Sequence, residues 1–171
     1  MLSETLRWAH ILGAIVLFGT GLGTAFHGWR GNLNPDVRVK AAINDQVVLA
    51  DWLFTTPAVI LQPITGVLLA RELGWSLTEG WILLSAALYV LAGACWLPVV
   101  WLQLRMRKLS AAAAREGRAV EADFRRAFRL WFWLGWPAFV SMTAIVWLMA
   151  TRPAWVIVTA IQNCTECKMF A

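Results

Sequence analysis

The chain has 171 residues, of which 60% are hydrophobic and only 15% are charged. Soluble domains are about half apolar and about a quarter charged, so this composition excludes an ordinary soluble enzyme and indicates one domain with lipid as its partner. The net charge of +5 does not indicate nucleic-acid binding. The basic residues lie between apolar runs, where anionic lipid headgroups attract them.

Four long apolar runs follow one another along the chain, at about residues 5–29, 48–71, 80–104 and 127–151. Each has the ~20 residues that a helix needs to cross a hydrocarbon core. An open sheet exposed to lipid would leave backbone groups without partners, so strands are excluded. The sequence predicts an all-α integral membrane four-helix bundle over residues 1–153, followed by a C-terminal tail, 154–171.

The first run contains the only two histidines of the chain, His10 and His27. An ionisable side chain inside a span is costly and is a functional candidate by default. Gly13, Gly21 and Thr24 share the helical face of His10, and such a stripe serves either close helix packing or a flat macrocycle held by the histidine. Along a straight helix the two histidines are ~25 Å apart and cannot share one metal ion. We expect His27 to meet lipid headgroups or Asp51.

Polar groups and prolines interrupt the later runs. In the second run Pro57 and Pro63 each remove a backbone donor, and Gln62 is tolerated at mid-depth only if it faces the bundle interior. Pro98 and Pro137 add a break to the third and fourth runs, so the sequence predicts a kinked bundle with an internal cavity. Two tryptophans beside these prolines pack either in the core or on a planar ligand: Trp96 and Trp136.

The positions of the tryptophans and cysteines indicate less about function than the histidines do. Seven tryptophans lie near the ends of the runs, as in interfacial belts: Trp8, Trp29, Trp52, Trp75, Trp81, Trp101 and Trp131. Cys95 is predicted to be a small core residue, and Cys164 with Cys167 forms a lone C-x-x-C in the tail. The tail pair indicates a minor structural feature more than a redox or metal site.

The connections between the runs set the predicted orientation. The first connection, residues 31–46, is polar, and the third, residues 105–126, is rich in Ala and Arg and should continue as helix. The segments 30–40 and 105–129 carry eleven Lys and Arg residues, against four in the rest of the chain. By the positive-inside rule both connections are cytoplasmic. We therefore expect a bacterial cytoplasmic (inner) membrane protein with both termini outside.

The order of these motifs resembles an uncharacterised bacterial family of predicted four-helix integral membrane proteins, a domain of unknown function. The resemblance covers residues 1 to about 153 and is carried by "AHILG" at 9–13, "TPAVILQPITGVLLAR" at 56–71 and "FRLWFWLGWPAFVSMTAIVWLMATRP" at 128–153. More distantly the layout is similar to the HemJ-type protoporphyrinogen oxidases and the CopD copper-resistance proteins.

In HemJ-type proteins a histidine at the start of the first span is implicated in haem binding, and His10 occupies the equivalent place. Thr65-Gly66 matches a motif of their second span, and Trp81 matches the tryptophan that opens their third span. They also carry an essential lysine shortly after that tryptophan, where this chain has Leu84-Ser85. This departure argues against protoporphyrinogen oxidation.

Three functions remain from the sequence. The first is a b-type haem protein with His10 as axial iron ligand, in a redox or small-molecule oxidation role, with Met142, Met149 or a second protomer as the source of any second ligand. The second is a CopD-like metal transporter. The third is a structural or accessory membrane subunit without cofactor, in which His10 only bonds between helices. Whether the chain is an enzyme, a homo-oligomer or one subunit of a larger assembly stays open.

Overall fold

The computed structural model describes residues 1–153, and the tail at 154–171, with Cys164 and Cys167, lies outside the described residues. The described chain forms α1 (Leu2–Asn32), α2 (Val37–Ala50), a π-helical turn (Asp51–Thr55), α3 (Thr56–Glu72), α4 (Gly80–Glu116) and α5 (Ala122–Thr151). No strand occurs within residues 1–153. Four helical stretches are long and apolar enough to cross a membrane, α2 and α3 counting as one. The predicted all-α membrane fold is confirmed.

The helices run beyond the predicted spans, most of all at the first connection. That connection is polar as predicted, but α2 already begins at Val37, where the Asp36 carboxylate caps the helix by accepting from the Arg38 N–H at 2.8 Å. Only Leu33–Asp36 joins α1 to α2. The polar segment is helical because one of its faces is buried: Asn44 and Val47 are 2% and 3% exposed.

The predicted helical continuation of the third connection is confirmed. Helix α4 extends to Glu116 and ends at Gly117, whose φ of 64° is the left-handed conformation that glycine adopts without strain. Arg118 binds both Glu116 and Glu121 at this turn. The hydrogen bond to Glu116 raises the pKa of Arg118, which therefore stays a cation.

A π-helical turn joins α2 to α3. Pro57 lacks an N–H and cannot bond the carbonyl of Leu53 four residues earlier, which weakens the regular α-helical ladder there. The N–H of Thr56 instead bonds the Asp51 carbonyl five residues back. The predicted proline effect therefore takes the form of a π turn, whereas Pro63, Pro98 and Pro137 lie inside continuous helices.

The helices pack as two pairs held together at one end. Helix α1 packs along α3, α4 packs along α5, and α2 lies between α1 and α4. Within the described chain the backbone of α3 makes no close approach to α4 or α5. We call the end with the α1–α2 and α4–α5 connections the basic face, and the opposite end, with Met1 and the α3–α4 connection, the terminal face. The pairs therefore enclose a gap above the basic face.

The basic face is held by apolar and polar packing. Met106 and Phe124 are 1% and 2% exposed in the cluster between α4 and α5. Beside them the Asn44 amide donates to the side-chain oxygen of Asn32 at 2.9 Å and to the Ser110 hydroxyl at 3.4 Å, and the Lys40 ammonium donates to the Asn32 carbonyl at 2.6 Å. These bonds join α1, α2 and α4 at the basic face, where the gap ends.

Two of the predicted belt tryptophans are buried instead. Trp81 and Trp131 are 3% and 5% exposed, whereas Trp8, Trp52 and Trp101 are more than half exposed, as an interfacial belt requires. Trp81 donates to the Glu79 carboxylate at 2.6 Å and lies under the guanidinium of Arg152. Helix ends place both ring systems near an interface, but helix contacts bury them, which composition alone does not reveal.

Candidate functional site

A cavity of about 370 Å³ lies between the two helix pairs and is half-open to the surroundings, whereas the sequence predicted an internal one. Its walls are aromatic, with contributions from α1, α4 and α5: Phe18, Tyr89, Trp96, Phe132, Trp136 and Phe139. The volume falls within the ~300–1,000 Å³ usual for small-molecule sites. Trp96 and Trp136 both line this cavity, and Trp136 is 51% exposed, so it does not pack in the core of the described chain.

One end of the cavity is polar, formed by Asp51, Thr55, Gln103 and Trp131. The Asp51, Gln103 and Trp131 residues are each 5% exposed. Three of their polar atoms have no partner within the described chain: Asp51 Oδ2, Gln103 Oε1 and Trp131 Nε1. A buried polar atom without a hydrogen bond costs ~1–3 kcal/mol, so three on one cavity wall indicate a place where a bound group completes the bonding.

The π turn positions the carboxylate. Asp51 is its first residue, and the Thr55 hydroxyl donates to Asp51 Oδ1 at 2.9 Å, while Oδ2 is buried without a partner within the described chain. Single π turns inside α-helices occur frequently at functional sites. At ~1.5 Å per residue, Asp51 lies roughly 30 Å along the helix from Glu72 at the terminal face, a distance close to the thickness of the hydrocarbon core.

Trp131 reaches this polar end through two contacts. Its indole stacks on Phe128 at 5.9 Å between ring centroids. Its Cη2 also lies 3.1 Å from where a Cβ on Gly28 would stand. A side chain at Gly28 would require the indole to shift by a few tenths of an ångström, and α1 and α5 approach each other there.

Two contacts bridge the helix pairs across the cavity. The Tyr89 hydroxyl of α4 donates to the Val59 carbonyl of α3 at 2.5 Å. The rings of Phe18 on α1 and Phe139 on α5 lie 5.5 Å apart. The cavity is therefore bounded by side chains from both pairs, while the helix backbones of α3 and α4 stay apart.

His10 is half-buried between α1 and α3. Its Nδ1 lies 3.0 Å from the Thr65 hydroxyl, and Gln62 donates to the His10 carbonyl at 3.2 Å. The Thr65 hydroxyl also lies within hydrogen-bond distance of the Leu61 carbonyl at 2.9 Å and the Gln62 carbonyl at 3.1 Å, and the imidazole tautomer decides which group donates between His10 and Thr65. His10 therefore bonds between α1 and α3, and its role as a cofactor ligand stays a prediction.

The motif that carries the HemJ resemblance packs on this histidine. A Cβ on Gly66 would stand 3.1 Å from His10 Cε1, so Thr65-Gly66 supplies both the hydrogen-bond partner and the space for the ring. Ser85 is buried and donates to the Trp81 carbonyl at 2.7 Å. His10 itself does not line the aromatic cavity.

The stripe of small residues beside His10 serves two purposes. A Cβ on Gly13 would come within 2.5 Å of Gln62 Oε1, so Gly13 permits close packing of α1 on α3. Gly21 and Thr24 line the cavity, and a Cβ on Gly21 would meet nothing within 4 Å. Gln62 faces the neighbouring helix as predicted.

His27 does not meet Asp51. Its Nε2 lies 3.1 Å from the Gln46 side-chain oxygen on α2, and the residue is exposed, which suits the alternative of a headgroup environment. Asp51 instead lines the cavity, and Thr55 donates to one of its oxygens. Gln103 and the polar role of Trp131 were missed by sequence reasoning, and their only signal was a polar atom close to the end of an apolar run.

Within residues 1–153 no three His, Cys, Asp or Glu side chains come together in a way that would hold a metal ion. The family described as "Predicted integral membrane protein (DUF2269)" matches the chain over residues 4–153. No curated protein and no solved structure matches it.

Proposed function

The chain belongs to this family of predicted integral membrane proteins, and we propose that it binds a small lipophilic molecule in the cavity between its two helix pairs. The observation that carries the proposal is the pairing of aromatic walls with a polar end that holds three unpartnered buried atoms. Concave, mostly apolar sites with a few convergent polar groups are the usual form of small-molecule sites. The helices around the cavity are long and apolar enough to cross a membrane. The cavity is therefore reached from lipid, and its ligand is a molecule that partitions into lipid.

Glycines offer a direct test of occupancy. Gly93 lines the cavity and a Cβ there would meet nothing within 4 Å, so Gly93→Phe fills the cavity without a backbone clash. Gly19 has the same open surroundings but lines no described cavity, so Gly19→Phe is the matched control. Methylpyrene is a suitable neutral probe, since tryptophan emission transfers energy to pyrene over short distances.

The experiment compares methylpyrene binding to the wild type and both variants in lipid nanodiscs, with empty nanodiscs setting the partition into lipid alone. We expect saturable energy transfer for the wild type and Gly19→Phe, and its loss in Gly93→Phe. Transfer that rises without saturation, equally in all three proteins, would mean that the probe only dissolves in lipid, and the proposal would fail.

A haem protein is the second candidate, on the strength of the His10 hydrogen bonds. In the tautomer in which Nδ1 donates to Thr65, Nε2 is the unprotonated nitrogen that a metal would take, and a metal-bound histidine usually donates its other N–H in this way. The described packing does not fit haem b, however, because the ring lies against Gly66 and away from the cavity. We therefore assign no chemistry to haem, and an absorption spectrum remains its test.

The remaining predictions concern the membrane location, metal transport and an accessory role. We place the protein in a bacterial cytoplasmic membrane with both termini outside, on the distribution of its basic residues. Metal transport of the CopD kind has no supporting cluster of ligands in residues 1–153. A purely accessory subunit, alone or as a homo-oligomer, would leave the three unpartnered polar atoms without a role.

A further inference from the structure

The polar end of the cavity contains an acidic side chain and no basic one. Asp51 is the one ionisable group there, and the cavity lining contains no Lys, Arg or His. None of the ion pairs formed by the described residues includes Asp51. A buried carboxylate is normally paired with a cation, because an unpaired charge away from water is costly. A cation that enters the cavity would supply the partner that an ionised Asp51 lacks.

The unpartnered atoms specify the kind of cation. Asp51 Oδ2 and Gln103 Oε1 are both acceptors, so the incoming group must donate hydrogen bonds. An ammonium group has N–H donors and a positive charge, whereas a hydroxyl has one donor and no charge. The third atom, Trp131 Nε1, is a donor and is satisfied by a ligand oxygen or a water beside the ammonium.

The walls favour the same ligand. The faces of tryptophan, tyrosine and phenylalanine rings attract cations within about 6 Å, and Tyr89, Trp96 and Trp136 line the cavity. The same rings pack on the apolar body of a ligand. An anionic lipophile such as a fatty acid would bring its carboxylate towards Asp51 and be repelled.

We propose that the ligand of the cavity is a lipophilic amine, bound as its ammonium ion by Asp51 and Gln103 with its apolar body between the aromatic walls. This rests on the proposed binding function and names its ligand class. The ammonium lies at the polar end near the basic face, and the body extends towards the middle of the bundle.

Three pyrene probes with different headgroups test the charge preference. Pyrenemethylamine is a cation at neutral pH, methylpyrene is neutral and pyrenecarboxylate is an anion. The variant Asp51→Asn removes the charge but keeps an oxygen that can accept from Thr55. Asp45→Asn is the matched control, because Asp45 pairs with Arg107 at 2.6 Å on the surface and does not line the cavity.

We expect wild-type protein in nanodiscs to bind pyrenemethylamine at least about thirty-fold more tightly than methylpyrene after correction for lipid partition, since losing one partner of a buried charged pair has effects of this size. Asp51→Asn should abolish that preference and still bind methylpyrene, which shows that the variant is folded. Asp45→Asn should keep the preference, and pyrenecarboxylate should bind most weakly.

Equal binding of the three probes to the wild type, or an unchanged preference in Asp51→Asn, would overturn the amine assignment while the cavity remains a binding site. If methylpyrene also fails to bind saturably, the binding function itself is wrong, and the amine assignment falls with it.

Discussion

Replacing Gly31 by alanine should destabilise the contact between α1 and α2. A Cβ at Gly31 would stand 2.2 Å from Ile43 Cδ1, 2.7 Å from Cγ2 and 3.0 Å from Cβ. The last of these atoms is attached directly to the α2 backbone, so a change of rotamer cannot relieve the overlap and the helices must separate.

The magnitude follows from two opposing terms. Alanine in place of glycine inside a helix gains ~0.5–1 kcal/mol of stability. Overpacking by one methyl group where the neighbours cannot move costs ~1–3 kcal/mol. We therefore expect Gly31→Ala to lose roughly 1–2 kcal/mol net, and Gly19→Ala, whose Cβ meets nothing within 4 Å, to show no such loss.

The free energy of unfolding is measured by titrating mixed micelles with a denaturing detergent and following tryptophan fluorescence. A double variant tests the contact itself, because Ile43→Ala removes the side-chain atoms that a Cβ at Gly31 would overlap. The double variant should lose less than the sum of the single losses, with a coupling of ~0.5–3 kcal/mol. Equal stability of Gly31→Ala and Gly19→Ala would refute the close approach of α1 and α2, and additive losses would assign the effect to another contact.

Further predictions concern the hydrogen bonds at the basic face, the two histidines and the orientation of the chain in the membrane. Asn44→Ala should lose ~1–3 kcal/mol of unfolding free energy by the same titration, because it leaves buried partners unbonded. Ser110→Ala removes the long bond from Asn44 and two bonds to carbonyls of its own helix, which already accept within that helix, and should lose less. If the purified protein shows a Soret band, His10→Ala should abolish it and His27→Ala should not; a colourless protein expressed with excess haem precursor would end the ligand role of His10. Reporter fusions in the α1–α2 and α4–α5 connections should give cytoplasmic signals, and periplasmic signals from both would reverse the topology.

The fold class could be predicted from the sequence because it depends on one strong signal. Runs of apolar residues long enough to cross a bilayer form helices, because a helix pairs all of its backbone polar groups within the segment. The helix ends were harder to predict, since Val37 to Gln46 reads as polar. That segment is helical through burial of one face against α1 and α4, which is a property of the assembled bundle.

The candidate site was only partly visible. Asp51 was recognised as a carboxylate near a span, and Trp96 as a residue suited to a planar ligand. Their common cavity could not be predicted, because it depends on the divergence of the two helix pairs and on the π turn. Gln103 lies 52 residues after Asp51 in the sequence, and nothing local indicates that both reach the same cavity wall.

The occupancy of the cavity is tested most directly by photolabelling. A pyrene probe carrying a diazirine is irradiated with the wild-type protein in nanodiscs, and the labelled residues are mapped by peptide mass spectrometry. We expect labels on cavity residues such as Trp96 and Met142, and their loss in Gly93→Phe. Labels spread over lipid-facing residues such as Val90 and Trp133, unchanged by Gly93→Phe, would contradict a ligand site between the helix pairs.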